Sequence, residues 1–129
     1  MRTTELNYIT ELHQDHREWI KELAFYEDEL KIMRGQLAEL SAKNSAQEVK
    51  MEVEKFQNQF IIQQNELDTL KHLVNRNEDL LEKEVKANPV AVEHRKVVDD
   101  SQLRDQMEQF EKLFKEMKED FLDFARKNF

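Results

Sequence analysis

The sequence predicts an all-α fold: an elongated, antiparallel, up-down-up three-helix bundle with coiled-coil-like packing. Three observations lead there. Apolar residues recur at alternating spacings of three and four, which puts them on one seam of each helix. The 129 residues include one Gly and one Pro, too few for a fold made of turns and strands. Charged residues make up 37%, as in long helices with solvated outer faces. A single helix in water cannot bury such a seam, so other helices must cover it.

The first helix is expected over about residues 4–42. Its seam reads Ile9, Leu12, His16, Trp19, Leu23, Tyr26, Leu30, Met33, Leu37 and Leu40. Thr3 or Thr4 can cap its start, and Glu5 suits the positive end of the helix dipole. Gly35 falls opposite the seam, where it costs roughly 1 kcal/mol relative to Ala without breaking the helix. Residues 41–45 form the first turn, and Ser45-Ala46-Gln47-Glu48 fits a capping box for the next helix.

The second helix is expected over about residues 46–86. Its seam is Val49, Val53, Phe56, Phe60, Gln63, Leu67, Leu70, Val74, Asn77 and Leu81. Pro89 ends it by forcing Asn88 out of the helical region. The third helix is expected over about residues 89–127, with Asn88 as cap and Pro89 at the first helical position. Leu103, Met107, Phe110, Phe114, Met117, Phe121 and Phe124 give it a clear seam. Val90, His94, Val97 and Ser101 form a face out of register with that seam. A break near 99–101, with Asp99 or Asp100 capping a fresh start, is therefore the alternative. Continuity is preferred because the first two helices each span ~60 Å and only a full-length third covers them.

Short connections make neighbouring helices antiparallel and set levels along a single domain, 1–129. Phe56, Phe121, Phe124, Met33 and Leu37 should form an aromatic-rich plug near the first turn. By rise alone His16 falls opposite about His72, Tyr26 level with Gln63, and Asn77 level with about Glu11 and Asp99.

Composition excludes several function classes. The net charge is −8, and basic residues are interleaved with acidic ones, so neither nucleic acid nor an anionic membrane is an expected partner. No window is long and apolar enough to span a bilayer, and residues 1–7 lack the apolar core of a secretion signal. A cytoplasmic location is the resulting expectation. With no Cys there is neither a disulfide nor thiolate chemistry.

No catalytic constellation emerges, so the chain is read as a non-enzyme without a cofactor. Glu-x-x-His, His-Glu-x-x-His and His-x-x-x-Glu are all absent, and the lone Gly rules out a glycine-rich phosphate loop. Glu27–Lys31, Glu108–Lys112 and Glu111–Lys115 read as pairs on solvated faces. His16 is read as a core histidine. With Gln63 and Asn77 it forms a set of core polar residues, and the two amides are read as controlling register. Phe25, Ile61 and Ile62 lie off the seams and would share an outer face at mid-height, the mark of a partner or homodimer interface. The leading expectation is thus an interaction or structural module that self-associates or binds a protein. The alternative is a bundle holding zinc, iron or haem through His16 with His13, His72 or His94.

Overall fold

The computed structural model describes residues 5–129. Three helices pack side by side: α1, Ile9–Lys43; α2, Gln47–Ala87; and α3, Ser101–Asn128. α1 and α2 form an antiparallel hairpin, and α3 lies in its groove, antiparallel to α2. The all-α three-helix bundle read from the seams is the architecture found.

Both ends of the long hairpin differ from expectation. Thr3 and Thr4 lie outside the described residues. Glu5 does not open a helix; Glu5–Tyr8 is a strand, β1. It pairs antiparallel with β2, Lys96–Asp99, with Leu6 opposite Val98 and Asn7 opposite Val97. The Ile9 amide donates to the Arg95 carbonyl at 3.1 Å, joining the start of α1 to the ribbon.

The third helix is broken, so continuity from residue 89 does not hold. Asn88 closes α2 instead of opening α3, its amide donating to the Glu84 carbonyl. Pro89 has no amide to continue the ladder. Ala91 then adopts a left-handed conformation (φ 54°), and Val92–His94 make one 3-10 turn before β2. The length argument fails because extended chain rises ~3.3 Å per residue against 1.5 Å in a helix. The turn and ribbon therefore cover the end of the hairpin with few residues: Val92 and Val97 pack with Val85 on Ile9, Leu12 and Leu81. Asp100 caps α3, its carboxylate accepting from the Leu103 amide at 3.0 Å. The expected capping box at Ser45 does not form. α2 starts after an extended Ala46 with no side-chain cap, and Asn44 holds the turn by donating to the carbonyls of Leu40 and Asn128.

The seams form the core. Leu23, Leu30, Leu40, Phe56, Phe60, Leu67, Leu70, Val74, Phe114 and Phe121 are almost wholly enclosed. The aromatic plug is present at the expected end. Phe56 meets Phe121 and Phe124 at ring separations of 5.4 and 5.1 Å, and Phe60 meets Phe121 at 5.3 Å. Each buried Phe contributes about 2 kcal/mol through apolar area alone. Gly35 faces open space.

Charged residues flanking the seams join the helices. On the α1–α2 side Glu27 reaches Lys71 at 3.8 Å. On the α1–α3 side three α1 carboxylates, seven residues apart, each face one α3 residue. Asp15 binds Arg104 at 2.8 Å and Glu29 binds Lys118 at 2.7 Å. Between them Glu22 faces Glu111. Burial, with the charges of Glu111 and Glu18, raises the Glu22 pKa above its ordinary value.

Candidate functional site

Two places gather polar or uncovered apolar side chains. The first is the end of the bundle carrying the ribbon. His13 and His16 stand one turn apart on α1, and Glu78 of α2 reaches both. One Glu78 oxygen accepts from His16 Nδ1 at 2.8 Å, and the other accepts from His13 Nδ1. His16 is buried and His13 is half exposed.

Beside this bridge, Arg104 lies over the Trp19 ring, 5.0 Å from its centroid. It donates to Asp15 at 2.8 Å and to Asp99 at 3.1 and 3.2 Å, tying α1, β2 and α3 together. Burial opposes the Arg104 charge, but its hydrogen bond to Asp15 and the nearby Asp99 outweigh that and raise its pKa. Asn77 donates to Asp100 at 3.1 Å and so joins α2 to the cap of α3.

The four histidines do not assemble. His72 is exposed on α2, and His94 is exposed in the 3-10 turn. His16 meets Glu78 where rise alone placed it near His72. Among the described residues no group of three or more His, Cys, Asp or Glu is placed to hold a metal ion. The depressions next to the bridge are open. One, about 500 Å³, is lined by His16, Leu80, Leu81 and Val98. The other, about 300 Å³, is lined by His13, Glu78, Val85 and Val92.

The second place is the outer furrow between α2 and α3. Ile62 is 62% exposed on one wall and Leu113 is 42% exposed on the other. Two adjoining depressions of about 200 and 210 Å³ both run between them. Gln59, Gln63, Gln106 and Gln109 supply amides along the furrow, and Glu66, Glu116 and Asp120 supply carboxylates. The lining holds no basic residue. The side-chain oxygens of Gln59 and Gln63 are enclosed, and neither accepts a hydrogen bond. Gln63 therefore does not make the expected bond to Tyr26. The Tyr26 ring instead packs on Phe110 and Phe114, 5.5 and 4.6 Å between centroids.

The three residues read as one outer patch belong to different faces. Ile61 lines the α1–α2 furrow with Arg34 and Leu37. Phe25 touches Tyr26 and lies one turn before Glu29, on the α3 side of α1. Only Ile62 lines the α2–α3 furrow. Ile61 and Ile62 diverge because adjacent helical residues sit about 100° apart.

Glu78, Arg104 and Leu113 carry more of both places than the sequence reading gave them. Glu78 directly follows seam residue Asn77, as His13 follows seam residue Leu12. In an antiparallel pair those flanking positions face each other, which is the signal that could have found the bridge. Leu113 precedes seam residue Phe114 and flanks the side of α3 turned to α2. No family model, curated protein or solved structure matches this chain.

Proposed function

We propose that the chain is a non-enzymatic interaction module that presents the flanks of a preformed bundle to a protein partner or to a second copy of itself. One observation carries this reading: Ile62 and Leu113 face each other, uncovered, across a furrow lined by amides and carboxylates. A stable bundle has no need of two aliphatic side chains held in water on facing walls. Scattered exposed hydrophobes are ordinary, whereas paired ones along a groove mark a contact surface.

The test is sedimentation equilibrium over a wide concentration range, with amide-exchange mapping of the chain alone and in extract from its source cells. The reading expects protection of α2 and α3 around residues 59–66 and 106–120 under one of these conditions. An unchanged exchange pattern in both, with a monomer at every concentration, refutes it.

A further inference from the structure

The furrow is specific about what it would accept, and this step rests on the interaction reading above. We propose that the α2–α3 furrow receives one basic amphipathic helix from a different protein. Three features of the furrow lead to that occupant.

The first is shape. α2 and α3 run antiparallel, and two depressions between their outer flanks adjoin at Ile62, Gln63 and Leu113. Their joint lining extends from Gln59 to Glu66 on α2 and from Gln106 to Asp120 on α3. The α3 wall is ~20 Å long at the helical rise, about four turns. A fourth helix lying there converts the three-helix bundle into a four-helix one, with the usual side-by-side packing.

The second is the apolar anchor. Ile62 and Leu113 stand opposite each other. A helix presenting apolar residues at positions i, i+3 or i+4, and i+7 would cover both.

The third is charge. Glu66, Glu116 and Asp120 edge the furrow with no basic residue in its lining. Lys or Arg residues beside the apolar stripe of the incoming helix would face these carboxylates. A second copy is the poorer occupant. Two-fold pairing of the same furrow would set these carboxylates against their own counterparts, in a chain of net charge −8.

The probe is a synthetic helical peptide with leucines at a three-four spacing and lysines flanking them. Its control is the same peptide with every lysine replaced by glutamate. Binding to the full chain is read by calorimetry and by amide chemical shifts. The proposal expects the lysine peptide to bind, the glutamate peptide to bind at least tenfold more weakly, and the shifts to centre on Gln59, Gln63 and Leu113. Leu113→Glu should abolish binding with its helicity retained by circular dichroism. Joint reversal of Glu66, Glu116 and Asp120 to Lys should weaken the lysine peptide about tenfold, as expected of several exposed ion pairs acting together. Ile61→Glu, on the other furrow, should leave affinity unchanged.

Equal binding of the two peptides, or equal loss with Ile61→Glu, overturns the proposal. Failure of both peptides while the chain self-associates through Ile62 and Leu113 also overturns it, yet leaves the interaction reading standing. Failure of both peptides with a strictly monomeric chain and unprotected furrow removes both.

Discussion

Glu111→Lys should stabilise the protein by changing a like-charge step of the α1–α3 ladder into an attractive one. The steps on either side are Asp15–Arg104 and Glu29–Lys118, at 2.8 and 2.7 Å. Glu22 faces Glu111 between them, and the Glu111 charge helps raise its pKa. Glu22 is largely solvated, so the gain is that of an exposed pair plus relief of a repulsion, ~0.5–1 kcal/mol. At about 2.1 cal/mol/K of unfolding entropy per residue, a chain of this size should melt ~2–4 °C higher. Thermal melts by circular dichroism at low and high salt measure this, and the gain should shrink at high salt. The pH dependence supplies a second readout. Glu22 holds its proton to higher pH in the folded chain than in the unfolded one, so the folded state binds more protons in the window above 4.5. This group's contribution therefore grows as pH falls through that window and is lost as pH rises. With Lys at position 111, that slope should flatten. The double variant Glu22→Lys with Glu111→Lys restores a like-charge step and should forfeit the gain. A Tm for Glu111→Lys that is unchanged or lower at low salt, with helicity intact, refutes the reasoning.

Four further outcomes follow from the packing. Phe121→Ala empties a fully enclosed site between Phe56 and Phe60 and should cost ~3–5 kcal/mol in urea unfolding; a loss under 1 kcal/mol would mean the plug is not packed as described. Glu78→Ala strips the buried His16 of its acceptor and should cost ~1–3 kcal/mol, with a positive coupling to His16→Leu in a double-mutant cycle. Ala91→Gly relieves a left-handed alanine and should raise stability by ~0.5–1 kcal/mol, measurable as a shifted denaturant midpoint at constant slope. In a phenolate absorbance titration Tyr26 should ionise at about 12, held there by burial and by Glu111, Glu22 and Glu29. Glu111→Gln should bring that step down, and an unmoved step would contradict the placement of Glu111 beside the ring.

The helices were legible because periodicity reports burial directly. A residue returning to the same side every three or four positions has one way to leave water, and Leu30, Phe60 and Phe114 took it. The stretch between α2 and α3 was not legible in the same way. A short apolar run such as Val97-Val98 fits a helix or a strand by spacing alone, and the strand reading needs a partner. That partner, residues 5–8, lies ninety positions earlier in the chain and has no periodic signal of its own over four residues. The out-of-register face of residues 90–101 was the real clue. It reflects a chain that stops being helical at Pro89 and restarts only where Asp100 can cap it.

The candidate sites show the same division. Seam residues with polar atoms could be picked out, but the partners on the flanks could not, because flanks are mostly charged. His16 found Glu78 and Trp19 found Arg104, each one position off a seam, and Asn77 found Asp100, the cap of α3. Flank positions also decide what the bundle offers outward. Ile61 and Ile62 are neighbours in sequence yet open onto different furrows: Ile61 faces the buried Leu37, and Ile62 faces an exposed large hydrophobe, Leu113. The property that distinguishes a recognition groove from a merely solvated helix is therefore a coincidence between flanks of two helices. It becomes visible only once α2 and α3 are set in register by the core between them.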